Sequence, residues 1–136
     1  MTRFLELLIA FFLIFVFSDL SVQAQHLDTE LPKCTVVTHC AREIWKVSKV
    51  EESFGKVIKV VEAMPRTKII EKSDSYIHAE AQTKWMRYTD DLLIKAIPNK
   101  GVIQVRSESR VGIGDNGVNK KRIADIAYRL TTNQIN

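Results

Sequence analysis

Three consecutive cations open the last predicted helix, at residues 120–122. The first turn of a helix exposes unpaired backbone N–H groups, and the helix dipole disfavours positive side chains at that end. An anion bound there would satisfy the N–H groups and neutralise the side chains. We therefore predict an anion-binding site that also draws on outward-facing arginines of the preceding strand. Its residues are Arg106, Arg110, Lys120, Lys121 and Arg122. In the alternative interpretation, Glu108 and Asp115 neutralise the three cations at the helix start as ordinary surface ion pairs.

A histidine on a predicted strand offers a second kind of chemistry. His78 would act as a general base if Asp91 or Glu80 held its ring in place. No serine or cysteine is convincingly placed as a nucleophile beside it, and spacing alone does not reveal a perturbed group in a cleft. His78 and Asp91 are therefore candidate catalytic residues for an alternative function, a small hydrolase-like enzyme. The simpler interpretation is a set of cross-strand ion pairs, Arg106 with Asp91 and Glu80 with Arg87.

Asp90 lies in phase with the apolar side chains of its strand, on the face that helices should cover. A carboxylate in that position needs hydrogen-bond donors. Ser107 and Ser109 share the same face of the next strand and would supply hydroxyl groups. We therefore expect a buried polar network that holds the hairpin in register. The functional alternative is a small polar pocket under the sheet.

Residues 112–117 match the pattern G-x-G-x-x-G between a strand and a helix, which is the dinucleotide-binding fingerprint. Only 19 residues follow Gly117. That is too few for the helix, the further parallel strand and the acidic residue that a dinucleotide site requires. We therefore expect a turn whose glycines permit positive φ, with Asp115 or Asn116 helping to cap the helix. No cofactor is predicted.

Two cysteines, Cys34 and Cys40, are separated by five residues. An oxidising compartment favours a disulfide between them, and a pair of free thiols is the main alternative. A structural zinc site would need four ligands, and only His39 and His26 lie nearby. The sequence therefore predicts a disulfide and no metal site.

The N-terminus has the pattern of a secretory signal peptide. Residues 7–17 are uninterruptedly apolar, and Ala24 is the small residue before a cleavage point. A span of the bilayer needs about 20 apolar residues, and Asp19 interrupts the run. Cleavage after Ala24 would remove one of 20 basic and two of 16 acidic residues, which raises the formal charge from +4 to +5. We predict an exported protein, periplasmic or secreted, with no nucleic-acid partner. The alternative is a protein anchored in the membrane by residues 7–17.

The remaining elements must position these side chains. Apolar residues at helical spacing, among them Phe54 and Val57, predict a helix that Ser53 caps and Pro65 ends. Alternating apolar and polar residues predict strands at residues 66–72, 76–83, 88–97 and 102–111, with a hairpin loop at 98–101. A final helix is predicted at residues 118–131.

Short links between successive strands imply an antiparallel arrangement. We therefore predict an α+β fold, a four-stranded antiparallel meander with two helices packed on its apolar face. The domain organisation is a signal peptide at residues 1–24, an extended lead-in at 25–50 and a single α+β domain at 51–133. The other sheet face is either solvated or a binding surface.

Residues 84–88, with the sequence KWMRY, join two strands without glycine or proline. We expect Trp85 and Tyr88 to belong to the core, because large aromatic side chains mostly bury. If the segment is exposed instead, its rings and cations would suit a lipid interface or an anionic partner.

Several of these segments resemble a known family. Residues 76–80, 87–91, 105–110 and 117–122 look like those of proteins grouped as domain of unknown function 1499, and the resemblance covers roughly residues 31–130. It implies a fold but no mechanism, because the family has no assigned activity.

The function therefore has to be argued from the residues. We expect a non-catalytic exported domain that binds an anionic group through the basic start of its last helix. The group would be a lipid headgroup, a polyanion or an acidic partner, and a membrane surface is one possible location for it. The alternatives are the hydrolase-like enzyme that uses His78 and an assembly factor of a membrane complex.

Overall fold

The computed structural model describes residues 30–112 and 114–132, so the predicted signal peptide lies outside the described residues. Within those residues the chain forms five strands and two α-helices. In chain order these are β1 (Cys40–Lys46), α1 (Val50–Glu62), β2 (Thr67–Lys72), β3 (Tyr76–Gln82), β4 (Thr89–Ile97), β5 (Val102–Ser109) and α2 (Val118–Thr131). A short 3-10 turn, Pro98–Lys100, and Gly101 with a φ of 64° form the predicted hairpin loop between β4 and β5.

The five strands form one antiparallel sheet in the order β1-β5-β4-β3-β2. The predicted α+β class and the meander from β2 to β5 are confirmed, but the strand count of four is wrong. Residues 40–46, expected to be part of an extended lead-in, form an edge strand that pairs with β5, with Cys40 opposite Glu108. The sequence of this strand does not show a regular alternation of apolar and polar residues. Glu43 shares the helix-covered face with Ala41 and Trp45, and its carboxylate accepts a hydrogen bond from the Trp45 indole N–H at 2.9 Å.

Both helices pack on one face of the sheet, as predicted. Their buried side chains join the inward residues of β3, β4 and β5 in a single core. Helix α1 begins earlier than expected, because the Ser53 N–H already donates to the Lys49 carbonyl at 2.9 Å as part of the first turn. Ser53 is therefore not the cap. Glu51 and Glu52 occupy that turn instead, where carboxylates favour the helix dipole.

The other sheet face, expected to be either solvated or a binding surface, is partly covered beside β1 and β5. Leu31 is buried there, and its N–H donates to the Gln104 side chain at 2.7 Å. A disulfide joins Cys34 to Cys40 with a Cα–Cα distance of 5.7 Å, which confirms the predicted bridge. The bridge fastens the segment before β1 to the first residue of that strand. Neither helix in the described part of the chain has the length and apolar character needed to cross a bilayer.

The turn between β3 and β4 is exposed, so the expectation that its aromatic residues belong to the core is wrong. Trp85 is 84% exposed, and Met86 and Tyr88 are also exposed. The Thr83 N–H donates to the Tyr88 carbonyl at 2.9 Å, and the Tyr88 N–H donates to the Thr83 hydroxyl at 3.0 Å. Arg87 has a φ of 57°. These bonds close the turn through its backbone and leave the side chains at its tip pointing away from the core.

Candidate functional site

A carboxylate from the chain itself occupies the N-terminus of α2. One oxygen of Asp115 accepts the Gly117 N–H at 2.9 Å, and the other accepts the Asn119 N–H at 2.8 Å. Burial raises the pKa of the Asp115 carboxyl, but these hydrogen bonds outweigh it and bring the pKa below its usual value. The predicted capping role of Asp115 is therefore confirmed. An external anion at this end of the helix could not use the Gly117 and Asn119 N–H groups.

Arg122 lies in a buried polar network rather than at the surface. Its guanidinium donates to Asp90 at 2.7 Å, to the Ser107 hydroxyl at 2.8 Å and to the Asn119 side-chain oxygen at 2.7 Å. Asp90 is fully buried, and Arg122 is 8% exposed. The guanidinium therefore supplies the donor that Asp90 needs, and the expectation that serine hydroxyl groups would donate to Asp90 is wrong.

Asn119 connects this network to the rest of the domain. Its side-chain amide lies 2.9 Å from the Ser109 hydroxyl, 3.1 Å from the His39 carbonyl and 2.7 Å from Asp115, while the Ser107 hydroxyl donates to its oxygen at 2.6 Å. Ser107 and Ser109 are thus in the network, as expected. Sequence reasoning missed Asn119. The sequence could have indicated that Asn119 is buried, because it lies one helical turn before the apolar Ile123, on the helix face that meets the sheet.

The candidate catalytic residues meet on the outer face of the sheet. His78 Nε2 lies 2.6 Å from Asp91 Oδ1, and Arg110 donates to both oxygens of Asp91 at 2.7 and 2.9 Å and to Glu80 at 2.6 Å. The predicted pair of Glu80 with Arg87 is therefore wrong, since Arg110 takes this carboxylate. No hydroxyl or thiol of the described residues hydrogen-bonds to His78.

Arg110 also shifts the pKa of the carboxylate that contacts His78. Its hydrogen bonds hold the pKa of Asp91 below the usual value against the effect of burial, and the bond from His78 acts in the same direction. The two carboxylates in turn raise the pKa of Arg110.

Arg106 is bound to Glu108 at 2.6 Å, so the predicted pair of Arg106 with Asp91 is wrong as well. Cross-strand register explains this, because Asp91 lies opposite Glu108 and Arg106 lies opposite Leu93.

A basic groove runs along α2, between that helix and the segment at residues 64–67. It encloses about 210 Å³. Four cations and one carboxylate are among its lining residues: Arg66, Lys121, Arg122, Arg129 and Asp125. Within the described residues, Lys121 and Arg129 have no ion pair. We refer to this site below as the basic groove.

The five predicted anion-binding residues are not gathered in one place. Lys121 and Arg122 line the basic groove, whereas Lys120 lines a second cavity of about 350 Å³ beside β1, together with Arg42 and Asp115. Arg106 and Arg110 lie on the outer face of the sheet, bound to carboxylates. No group of three His, Cys, Asp or Glu side chains among residues 30–112 and 114–132 is arranged as metal ligands.

A family model described as "Protein of unknown function (DUF1499)" matches residues 21–130. The chain belongs to this family. The match spans all five strands and nearly all of α2, so the buried network and the basic groove both lie in the part shared with the family. No curated protein matches the chain.

Proposed function

We propose that the protein is a non-catalytic binding domain whose basic groove holds an anionic group that carries a phosphate or a similar charge. The observation that supports this most directly is the pair of cations Lys121 and Arg129, which line one groove without a carboxylate partner among the described residues. Lys121 and Arg129 are eight residues apart on α2, roughly 12 Å by the helical rise, with Asp125 between them in the sequence. A bound anion would attract both cations, neither of which is paired with a carboxylate in the described part of the chain. Asp125 is the one acidic side chain in the lining.

One guanidinium group in the groove is held in place before any ligand arrives. Arg122 is fixed by its bonds to Asp90, Ser107 and Asn119, whereas Arg66 is exposed and has one long bond of 3.4 Å, from its Nε to the Gln82 carbonyl. A planar guanidinium matches the oxygen geometry of a phosphate or carboxylate, and a fixed one loses little conformational entropy on binding. Lys121 and Arg129 would then add charge from the helix side.

The disulfide between Cys34 and Cys40 supports a location outside the reducing cytosol, since such bridges persist in oxidising compartments. In this proposal the chain is exported and meets its ligand in the periplasm or outside the cell. Because binding in the groove is electrostatic, it should weaken as the salt concentration rises.

The test is a pair of charge-reversal variants measured against soluble pyrophosphate by calorimetry. Lys121→Glu with Arg129→Glu reverses two groove cations and should weaken binding at least tenfold. Arg122 is left intact, because its replacement would disturb the buried network. The matched control, Lys120→Glu with Lys59→Glu, makes the same change in net charge outside the groove and should bind within about threefold of the native chain. Equal affinity of the groove variant and the native chain would refute the proposal, as would no binding by the native chain.

A second candidate function is a small hydrolase-like enzyme, which the contact of 2.6 Å between His78 and Asp91 favours. A carboxylate in this position orients a histidine that takes a proton from water or substrate. The test is a screen of esters, phosphates and glycosides, followed by His78→Ala on any turnover that is found. Loss of turnover in a folded variant would support it, and a blank screen would count against it.

A further inference from the structure

The exposed apolar side chains of the domain are concentrated at one end of the sheet. This end consists of the segments before β1 and β2, the β3–β4 turn and the link from β5 to α2. Backbone hydrogen bonds tie the segments together, from Gln82 to Arg66 at 2.9 Å, from Arg110 to Thr89 at 3.3 Å and from Asp115 to Thr38 at 3.2 Å. Of ten exposed large apolar residues in the described chain, seven lie here: Val36, Val37, Trp85, Met86, Tyr88, Val111 and Val118.

The same end of the sheet is strongly basic. Residues 64–67, 82–89 and 110–121 contain six cations and one carboxylate. That carboxylate, Asp115, caps α2, and one of the cations, Arg110, is bound to Asp91 and Glu80, so five cations have no carboxylate partner among the described residues. The six cations are Arg66, Lys84, Arg87, Arg110, Lys120 and Lys121. At the opposite end, residues 47–52, 73–75 and 98–101 contain two lysines and three carboxylates, and none of the ten exposed apolar residues. Apolar exposure and positive charge therefore coincide at one end only.

The β3–β4 turn is the most exposed part of this end. Trp85 and Met86 are at its tip, and residues 82–89 contain no acidic residue. The Lys84 ammonium lies 5.1 Å from the centre of the Trp85 ring, a cation–π contact that holds a positive charge beside the exposed indole. Tryptophan prefers the boundary between lipid headgroups and hydrocarbon, and lysine and arginine are attracted to anionic headgroups.

We propose that this end of the domain docks on an anionic lipid bilayer. Trp85 and Met86 enter the headgroup region, and Lys84 and Arg87 contact lipid phosphates. An acidic bilayer surface matches both the cations and the exposed apolar side chains of this turn, because its headgroups are negatively charged and the layer beneath them is apolar. The proposal rests on the exposure and charge of the turn, and it does not require that the basic groove bind a soluble anion.

The experiment uses the full chain with Trp45→Phe, so that Trp85 is the only tryptophan left. Its emission is recorded with vesicles of brominated phosphatidylcholine, with and without phosphatidylglycerol. We expect a blue shift and quenching with the anionic vesicles, and a much smaller effect with the neutral ones or at high salt. Lys84→Ala with Arg87→Ala should weaken the anionic response about 25-fold, since each basic side chain near such a surface contributes about fivefold.

The matched control is Lys49→Ala with Lys100→Ala, which removes two cations from the opposite end and should respond within about threefold of the parent. Unchanged Trp85 emission with anionic vesicles overturns the docking proposal, even if the chain sediments with them through another segment. Equal effects of the two charge pairs overturn it as well. Pyrophosphate binding is measured on the same proteins. Quenching of Trp85 in a protein that does not bind pyrophosphate refutes the proposed basic groove and supports the docking. Pyrophosphate binding without quenching of Trp85 refutes the docking and supports the groove.

Discussion

Replacement of Arg122 by Met should be among the most damaging changes to this domain. Asp90 is fully buried, and Arg122 is the only residue of the described chain that donates to its side chain. The second oxygen of Asp90 is also buried and has no partner there. Removal of one member of a buried ion pair costs about 3–5 kcal/mol, because it leaves the other charge without compensation. A domain of this size has a total stability of about 5–15 kcal/mol.

The two single replacements should not be equivalent. Arg122 reaches the lining of the basic groove, so water can approach its guanidinium when Asp90→Asn removes the opposite charge. Asp90 has no such access, and Arg122→Met leaves its carboxylate in a dry site. We therefore expect Asp90→Asn to cost about 2 kcal/mol less than Arg122→Met. The double variant should be more stable than Arg122→Met alone, since neither charge is then buried.

The assay is equilibrium unfolding in urea at neutral pH, followed by far-UV circular dichroism. The free energies of unfolding are compared between variants that have the same m value, the slope of the unfolding free energy against urea concentration. An unchanged m value shows that the unfolded states are alike. The double-mutant cycle should give a coupling energy of at least about 2 kcal/mol. A loss below about 1 kcal/mol for Arg122→Met, or additive effects of the two replacements, would refute the view that this pair is buried and coupled.

Three further predictions concern other parts of the domain. Asp115→Ala removes the cap of α2 and should cost about 1–2 kcal/mol in urea unfolding, whereas Asp115→Asn, which keeps one acceptor, should cost less. Reduction of the disulfide between Cys34 and Cys40 should cost roughly 2 kcal/mol for a loop this short, measured by unfolding with and without reductant. The pKa of Asp91 is lowered in the folded protein, so its stabilising effect is present above the unfolded value near about 4 and is lost as the pH falls through the lower folded value. Asp91→Asn should therefore be less stable at pH 6 but lose stability less steeply below about pH 4 than the native chain, as acid titration of unfolding will show.

Local pattern was enough to predict the meander and the last helix. The alternation is clean in β3, because one sheet face is covered by helices and the other is largely polar. It is less regular in β2, where the register shifts between Ile69 and Glu71. Helix α2 was predicted at its observed bounds, since Ile123 and Ile126 recur at helical spacing after a glycine-rich turn. The disulfide also followed from two nearby cysteines and a signal-like N-terminus.

Pairing over long distances in the chain was not predictable in the same way. The strand β1 places Glu43 on the covered face, so its alternation is broken and only its pairing with β5 makes it a strand. The partner of Asp90 is likewise set by tertiary packing, which brings Arg122 from α2 over the sheet. Trp85 was assigned to the core by its residue type, but the closed backbone of its turn leaves it outside. Residue type alone did not indicate which of these side chains the fold would cover.

The pairing of β1 with β5 has a consequence for the order in which this domain assembles. The strands from β2 to β5 are joined by short links, and each can pair with its predecessor soon after it is made. β1 leaves the ribosome before all of these strands, and its partner β5 is the last to appear, so β1 stays without a sheet until residues 102–109 arrive. An unpaired strand is prone to aggregation during that interval. The disulfide between Cys34 and Cys40 closes only a short loop, so it can form before β5 is available. It then restricts the chain immediately before β1 while that strand is still unpaired.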